Sequence, residues 1–371
     1  MAKVVHLTSV HPPFDVRIFY KECKTLAQGG YEVVLIAPHT QDEIVEGVRI
    51  RAVPKPRGRL QRMSCTTWRV FCAALQEKAD LYHFHDPELI LSGLLLKWVA
   101  KAKVIYDVHE DNVASLYQKS YLPCWLRRVL GRLMETLERV AGAFLQVAIA
   151  EKYYARRFPK ATSVLNYPQI NSSPTSVARF NNQIRRNRLL YTGTVSQDRG
   201  ALIHAQIANI VPEVEVYIVG RCPHELAKKM QQQARDGASR LHIEGQGERV
   251  PYERIQAYYQ QGDWLAGLAI FPATPAYIEK ELTKFFEYMW AGIPVLCSDF
   301  PVWRSLIEKT GAGMVVDPDD NEAIAKTIRW LLEHPDEAEA MGKRGQEAVR
   351  TRYNWDVEAQ KLLNLYRSLL A

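Results

Sequence analysis

Short apolar runs separated by helix-like segments organise the first half of the chain. The runs are rich in β-branched residues and are bounded by polar or glycine positions, as is typical of strands buried on both faces of a parallel sheet. Between them lie stretches with apolar residues three and four apart, of which 15–27 is the clearest. That stretch stops at Gly29 and Gly30, a common signal for a helix C-terminus. The predicted strands are 3–7, 31–37, 48–53, 81–84 and 104–106.

The same alternation begins again in the second half, with predicted strands at 188–191, 214–219, 241–243, 264–269, 294–297 and 314–316. A polar stretch that indicates a linker, 169–187, separates the halves. We therefore predict an α/β protein of two doubly wound, Rossmann-like domains, 1–168 and 188–352. Such sheets bind ligands at the carboxyl ends of their strands, so we expect the two domains to face each other across a cleft. The segment 353–371 contains an amphipathic helix that could pack back on the first domain.

The amino-acid composition is that of a folded globular protein, and it excludes several other protein classes. The 371 residues are 47% hydrophobic and 24% charged, which excludes a disordered, collagen-like or disulfide-framed chain. The longest apolar run, 89–100, is interrupted and shorter than the ~20 residues that cross a bilayer. The first residues carry no signal-peptide pattern, and the six cysteines form no CxxC pair. These features favour a cytoplasmic protein with reduced thiols.

Positive charge is concentrated in the first half. Residues 1–170 contain 24 Lys and Arg against 16 Asp and Glu, whereas 171–371 contain 24 against 25. A basic half indicates an anionic partner such as an acidic polymer or a membrane surface, with a merely solvated face as the alternative. Two stretches combine this charge with apolar side chains, 55–71 and 125–133. The second is typical of a basic amphipathic helix, which either lies in a membrane interface or packs on its own domain.

One segment places two carboxylates around a predicted helix start. Glu279 and Glu287 are eight residues apart in EKELTKFFE, and the pattern predicts a helix that begins near Thr283, with this threonine as its cap. Glu279 then lies in the preceding loop and Glu287 in the first turns. The N–H groups of Leu282, Thr283 and Lys284, the helix dipole and the lysine charge predict an anion site suited to a diphosphate.

This segment is the last of four stretches that occur along the chain in the same order as in a known protein family. The stretches are HPPFDVRIFYKECKTLAQGGYEVVLIAP, LYHFHDPEL with VIYDVHED, LLYTGTVSQDRG, and EKELTKFFEYMWAGIPV. Together they cover essentially the whole chain and resemble glycosyltransferase family 4, whose members are retaining enzymes of the two-domain GT-B fold. The resemblance is to the bacterial enzymes that build cell-envelope saccharides or exopolysaccharides.

The resemblance assigns roles to three side chains near the reacting sugar. It implies that Glu287 binds the ribose hydroxyls of the donor and that Glu279 holds sugar hydroxyls near the reacting carbon. A carboxylate suits both roles because it can accept two hydroxyl hydrogen bonds at once. His109 follows a predicted strand of the first domain, beside Asp107 and Glu110. The equivalent histidine of the family touches the donor sugar.

The resemblance also predicts the contacts to the donor diphosphate, with one departure. Arg199 follows the Gly193 turn, where the family usually has a lysine that grips the diphosphate, and arginine keeps that charge. The family often has a second arginine directly after this glycine, whereas this chain has Thr194. Lys284 could supply the missing contact, or the leaving group could be less well stabilised.

Three residues at strand ends of the first domain are candidates for the acceptor side of the cleft. His85 and Asp86 end the strand YHFHD, and alternation puts His83 and His85 on one face. We interpret His85 and Asp86 as lining the cleft and contacting the acceptor. A zinc pair is conceivable, but no third ligand stands at a convincing spacing. The resemblance to GT-B enzymes, which generally work without a metal, implies that no metal is bound. Asp15 either caps the helix that follows it, which is the favoured interpretation, or acts as a base toward an acceptor hydroxyl.

The implied reaction moves a sugar from a nucleotide diphosphate sugar, such as a UDP- or GDP-sugar, to an acceptor hydroxyl, with retention and without a cofactor. Cations and helix N–H groups would stabilise the charge that develops on the leaving diphosphate. The expected acceptor is a lipid-linked or cell-envelope saccharide of polysaccharide biosynthesis. The basic half could contact the anionic inner face of the cell membrane. No nucleic-acid-binding module is recognised, so no nucleic acid partner is expected.

Three alternatives use similar sheets. An NAD-dependent oxidoreductase is disfavoured because the first strand–helix turn has HPPFD in place of GxGxxG. A sugar-nucleotide epimerase of the same fold would release UDP without an acceptor. A non-catalytic two-domain sugar-binding protein is the third.

Overall fold

Two sheets, one in each half of the chain, organise the protein. The computed structural model describes residues 1–117, 122–170 and 187–371, which form two units. The first unit comprises 1–169 and 355–371, and the second comprises 170–354. The predicted linker, 169–187, lies almost entirely outside the described residues.

The first sheet has eight strands. They are β1 Lys3–Leu7, β2 Glu32–Pro38, β3 Glu43–Val45, β4 Val48–Val53, β5 Leu81–Phe84, β6 Lys103–Val108, β7 Gln146–Ile149 and β8 Thr162–Ser163. Their order is β3-β4-β2-β1-β5-β6-β7-β8, and neighbours run parallel except for the antiparallel pair β3 and β4. Apolar clusters cover both faces, which explains the nearly uninterrupted hydrophobic runs.

The second sheet has six strands, all parallel. They are β9 Arg188–Thr192, β10 Glu215–Cys222, β11 Leu241–Gln246, β12 Ala266–Ala269, β13 Val295–Ser298 and β14 Gly313–Val316. The order β11-β10-β9-β12-β13-β14 is that of a doubly wound sheet. Strand order reverses between β9 and β12, and doubly wound sheets bind ligands at this position, beyond the carboxyl ends of the strands.

Helices cover both sheets. In the first unit they are a π-helix at Val16–Cys23, α1 Lys24–Gln28, α2 Arg59–Gln61, α3 Thr67–Glu77, α4 Ile90–Val99, α5 Asn112–Tyr117 and α6 Cys124–Phe144. In the second unit they are α7 Ala201–Ile210, α8 His224–Ala234, α9 Tyr252–Gln260, α10 Thr283–Trp290, α11 Pro301–Thr310, α12 Asn321–Glu333 and α13 Pro335–Thr351. Among the described residues, no helix combines the length and the apolar character needed to span a bilayer.

The last helix, α14 Trp355–Leu370, belongs to the first unit. Its apolar residues join the core cluster on one face of the first sheet. The Trp355 indole N–H donates to Thr25 Oγ1 at 2.9 Å, and Glu358 accepts from the Leu165 N–H at 2.8 Å. The amphipathic pattern of 353–371 is therefore accounted for by burial against the first sheet.

Candidate functional site

A cavity lies at the carboxyl ends of β9 and β12, where the strand order of the second sheet reverses. Its position agrees with the general rule for doubly wound sheets. The cavity brings together most of the residues predicted for donor binding: Gly193, Arg199, Leu282, Thr283, Lys284 and Glu287.

Glycines let the backbone turn closely around the cavity. Gly193 has a φ of +99°, a left-handed conformation that favours glycine. Its N–H donates to Val219 O at 2.9 Å, and a Cβ on Gly220 would lie 1.9 Å from its carbonyl oxygen. A Cβ on Gly200 would likewise lie 1.9 Å from Ile270 O. The turn after β9 therefore needs glycine, and it leaves main chain rather than side chain facing the cavity.

Helix α10 directs its N-terminus to the same cavity. Leu282 is its N-cap, with extended backbone, and no side chain among the described residues caps the helix. The prediction that Thr283 caps the helix is wrong because this residue is already helical, so its hydroxyl cannot take the position of a capping acceptor. The predicted start of the helix is confirmed. With no side-chain cap, the first N–H groups and the positive end of the dipole remain for an anion.

Glu287 is held in place by the hydroxyl group of Tyr259, which is itself bonded to a second hydroxyl, that of Thr192. The Tyr259 hydroxyl donates to Glu287 Oε2 at 3.0 Å and lies 2.7 Å from Thr192 Oγ1. Burial, followed by the nearby Glu287 charge, raises the pKa of Tyr259, so this hydroxyl keeps its proton. Tyr288 supports the same strand end, since the Thr192 N–H donates to its oxygen at 3.1 Å. The Glu287 carboxylate thus has a fixed position at the cavity.

Two basic side chains, Arg199 and Lys284, also line the cavity near the helix start. Arg199 Nε donates to the Tyr277 hydroxyl at 2.9 Å. Lys284 is buried, and its Nζ lies 3.6 Å from the centroid of the Tyr191 ring. The Arg199 guanidinium, the uncapped helix N–H groups and a lysine that can take up a proton make the cavity suited to a group with more than one negative charge.

Glu279 precedes this helix and lies outside the lining of the cavity. It is half-buried in the irregular segment 275–282. The Trp303 indole N–H donates to Lys280 O at 2.7 Å, which fastens this segment to α11. The predicted loop position of Glu279 is confirmed, whereas its contact to a sugar stays a prediction.

Polar side chains also gather at the carboxyl edge of the first sheet, around the buried Asp107. Arg17 Nε and Nη2 donate to its two oxygens at 2.9 and 2.7 Å. His85 Nδ1 and His109 Nδ1 lie 3.1 and 3.0 Å from Asp107 Oδ2. Burial alone would raise the pKa of Asp107, but Arg17 lowers it well below the usual range. Asp107 is therefore ionised, and its Oδ2 fixes the His109 ring by accepting from Nδ1.

His85 is the first member of a buried hydrogen-bond chain. Its Nε2 lies 2.9 Å from His6 Nδ1, His6 Nε2 lies 3.0 Å from the Tyr366 hydroxyl, and that hydroxyl lies 2.8 Å from His83 Nδ1. With Asp107 accepting from His85 Nδ1, His85 Nε2 can accept from His6 Nδ1, and His6 Nε2 can accept from the Tyr366 hydroxyl. The Tyr366 oxygen then accepts from His83 Nδ1, so each of the four contacts has one donor and one acceptor. Burial lowers the pKa of all three histidines, in agreement with neutral rings.

This chain corrects the predicted role of His85. Its side chain is fully buried, so it does not line a cleft or reach an acceptor in this conformation. His6 and Glu22 join His83 and His85 in a group whose polar atoms lie within 4.8 Å of one another, so ligands that the sequence search missed do exist nearby. The His6 Nδ1, His83 Nδ1 and His85 Nε2 atoms are already occupied by the hydrogen-bond chain.

Asp86 is also structural in this conformation. It is 1% exposed and accepts from the Ser9 N–H at 2.6 Å and the Thr8 hydroxyl at 2.8 Å, so the predicted acceptor contact is wrong for this conformation. Asp15 caps the π-helix, because its Oδ1 accepts from the N–H groups of Arg17 and Ile18 at 2.8 and 3.0 Å. The favoured interpretation of Asp15 as a cap is confirmed.

Sequence reasoning missed a neighbour of His109. His11 Nε2 lies 3.1 Å from His109 Nε2 and 3.3 Å from Asp86 Oδ1. Burial works against the charged form of His11, but the Asp86 carboxylate outweighs it and raises the pKa of His11.

In the second unit, the missed residues are the tyrosines and the threonine that hold Glu287 and Arg199. Tyr252 and Tyr259 also line the cavity. The only sign of them in the sequence was the aromatic residues of YERIQAYY, 252–259.

In comparison with known proteins, both halves of the chain match glycosyltransferase family models. Residues 17–157 match the family model "Glycosyl transferase 4-like domain", and residues 182–348 match "Glycosyl transferases group 1". The phosphatidyl-myo-inositol mannosyltransferase of Mycolicibacterium smegmatis is 23% identical over 367 residues, which cover 93% of this chain and 88% of that protein. The D-rhamnosyltransferase WbpZ of Pseudomonas aeruginosa is 26% identical over 74% of this chain and 70% of its own length.

Solved structures agree on the fold. Sucrose-phosphate synthase from Thermosynechococcus elongatus superimposes with a TM-score of 0.72 at 17% identity and covers 100% of this chain and 99% of its own. Anabaena Alr3699/HepE, solved with UDP and glucose, gives a TM-score of 0.69 at 16% identity with full coverage of both chains. These neighbours have the GT-B fold. With two matched domains, relatives along nearly its full length and this fold, the chain belongs to glycosyltransferase family 4 and is a nucleotide-sugar-dependent glycosyltransferase.

Proposed function

We propose that this glycosyltransferase binds the nucleoside diphosphate of its donor in the cavity of the second unit and transfers the sugar to a saccharide acceptor with retention. One observation carries the proposal: a single cavity combines an uncapped helix N-terminus, two basic side chains and a fixed carboxylate. A nucleotide sugar presents the complementary groups, which are a charged diphosphate and neutral hydroxyls. The comparisons favour neither an epimerase nor a non-catalytic sugar-binding protein.

The diphosphate would lie against the Gly193 turn and the N-terminus of α10. The main-chain N–H groups of Thr283 and Lys284, with the Arg199 guanidinium, would stabilise the negative charge that develops as the glycosidic bond breaks. Lys284 lines the cavity where the family's second arginine is missing, so we assign it to the same phosphates. No metal ion is needed for this arrangement, because these groups supply the positive charge.

The carboxylates would orient the sugars on either side of the diphosphate. Glu287, which the Tyr259 hydroxyl holds at the cavity, would accept from the ribose hydroxyls. Glu279 would accept from hydroxyls of the transferred sugar, and His109 would contact that sugar from the first unit, as the family resemblance implies. Asp107 supports this role of His109 by fixing its ring.

A donor screen tests the proposal directly. We expect one of UDP-glucose or GDP-mannose to raise the melting temperature of the protein, because a ligand at 100 times its Kd stabilises by about 2.7 kcal/mol. UDP-glucose is bound in a solved HepE structure, and GDP-mannose is named for a mannosyltransferase relative. Release of free nucleoside diphosphate that depends on an added saccharide acceptor would support transfer, whereas acceptor-independent release would favour an epimerase. Absence of a shift with any nucleotide sugar would contradict the proposal.

We also propose that the acceptor is lipid-linked and that the first unit binds an anionic membrane from the cytoplasmic side. Helix α6 presents an apolar stripe to solvent, formed by Trp125, Val129 and Leu133, each more than half exposed. The exposed Arg128 and Arg132 lie beside it. This combination of an exposed apolar stripe and arginines suits a helix in the headgroup region. All six cysteines are free thiols, in agreement with a reducing compartment.

The membrane proposal predicts that the protein binds lipid vesicles and that this binding depends on the charge of the lipid and of helix α6. Wild-type protein should sediment at low salt with vesicles of phosphatidylcholine and phosphatidylglycerol, and less with phosphatidylcholine alone. Arg128→Gln with Arg132→Gln should lower the partition coefficient about 30-fold, since each basic residue contributes about 1 kcal/mol near an anionic surface. Ile44→Ser, at an exposed apolar position on β3, is the matched control and should have no effect. Wild-type protein that stays in the supernatant would contradict membrane binding.

A further inference from the structure

The amino group of Lys284 has an unusual environment for a charged group. Its Nζ lies 3.6 Å from the ring centroid of Tyr191 and 5.1 Å from that of Phe271. The side chain is 9% exposed, and within the described residues Nζ has no hydrogen-bond partner. An ammonium group carries three donors, and burying them without acceptors is costly. The aromatic faces offset only part of this cost.

The charged and titratable groups around Lys284 do not compensate for its burial. Arg199, from the segment that precedes α7, adds a like charge, whereas Glu287 on the same helix adds an opposite one. Burial is the largest effect, and with Arg199 it holds the pKa of Lys284 well below its usual range. His204 of α7 is also near, but burial lowers its pKa to about 3, so it remains neutral. Tyr277, on the segment before α10, is a hydrogen-bond partner of Arg199.

A bound diphosphate would supply what this site lacks. Lys284 lines the cavity together with Arg199 and the helix N-terminus, the groups that we assign to the donor phosphates. Phosphate oxygens are strong acceptors and bring negative charge, and both favour the ammonium form. The empty and occupied cavities therefore stabilise different protonation states of the same side chain.

We propose that Lys284 is a neutral amine in the empty enzyme and becomes an ammonium group when the donor diphosphate binds, taking one proton from solvent. This inference rests on the proposed location of the donor. It makes donor binding dependent on pH in a defined direction. Above the Lys284 pKa of the empty enzyme, affinity should fall about tenfold for each pH unit, until the pKa of the complex is reached.

Calorimetry can count this proton. UDP-glucose and GDP-mannose are suitable probes because their diphosphate is esterified at both ends and has no proton that titrates near pH 8. Titration in phosphate and in Tris buffer at pH 8 separates the heat of binding from the heat of buffer ionisation. We expect the wild-type enzyme to take up close to one proton for each donor molecule bound.

Three variants distinguish a proton-accepting lysine from a lysine that only fills space beside the aromatic rings. Lys284→Met keeps the apolar stem and should bind the donor more weakly, with no proton uptake. Lys284→Arg carries a permanent charge and should retain most of the affinity while losing proton uptake, a combination that a purely structural role would not give. His204→Gln is the matched control and should keep the wild-type proton count. Thermal unfolding of each variant checks that the second unit is folded.

The outcomes separate this inference from the proposed function. Binding by the wild-type enzyme without proton uptake, or an unchanged proton count in Lys284→Met, would overturn the role of Lys284. Loss of the proton in His204→Gln alone would assign the proton to the histidine and overturn it equally. Failure of the wild-type enzyme to bind any nucleotide sugar would instead contradict the proposed function.

Discussion

Glu287→Ala should abolish the thermal stabilisation that the cognate nucleotide sugar gives to the wild-type enzyme. The carboxylate is held by Tyr259 and, as proposed, accepts from the ribose. Hydrogen bonds to a charged group contribute about 1.5–3 kcal/mol each, so removing two should weaken binding at least 100-fold. At a donor concentration of 100 times the wild-type Kd, stabilisation should fall from about 2.7 to about 0.4 kcal/mol.

Two further variants make this result specific to the site. Glu287→Gln keeps the shape and one accepting oxygen, so we expect an intermediate loss of affinity. Glu333→Gln changes an exposed glutamate at the end of α12 and should leave the shift intact. A full shift in Glu287→Ala would mean that the nucleotide binds elsewhere.

Asp107→Asn should destabilise the first unit by about 3–5 kcal/mol, the usual cost of removing one partner of a buried ion pair. The substitution leaves the Arg17 guanidinium, 4% exposed, without its carboxylate. It also disturbs the ring of His85, which accepts the next hydrogen bond of the buried chain. Urea unfolding followed by tryptophan fluorescence measures the change. Asp80→Asn, at an exposed aspartate that accepts from the Lys3 N–H, should change the free energy of unfolding by less than about 1 kcal/mol.

The difference between wild type and Asp107→Asn should also depend on pH. The pKa of Asp107 is lower in the folded than in the unfolded protein. Its contribution to stability is therefore present above the unfolded value of about 3.9 and is lost as the pH falls through the folded value. The two proteins should converge in stability only in strong acid. A difference that stays constant from pH 7 to pH 2 would contradict this assignment.

Strands were predictable where burial on both faces leaves a continuous apolar run. Strands β1, β4 and β5 were predicted with their observed bounds for this reason. Strands β3 and β8 were missed because they have only three and two residues and lie at the edges of the sheet, where the hydrophobic pattern is weak; β7 was missed although its apolar residues are buried. The register of each sheet depends on pairing between distant segments, which one sequence does not reveal.

The candidate site was predictable where a local pattern carries it. The start of α10 and the loop position of Glu279 follow from the nearby sequence. The support of Glu287 does not, because Thr192, Tyr259 and Glu287 meet only after folding. The role of His85 could not be predicted for a related reason: its hydrogen-bond partners, His6 and Asp107, lie on other strands and meet it only after folding.

The discontinuous make-up of the first unit has a consequence for biosynthesis. Residues 355–371 supply part of its core, and 185 residues of the second unit are translated before them. While the ribosome makes those residues, the part of this sheet face that α14 covers in the folded protein lacks its helix, and the apolar side chains there are available to chaperones. The half that is synthesised first is thus the half that matures last.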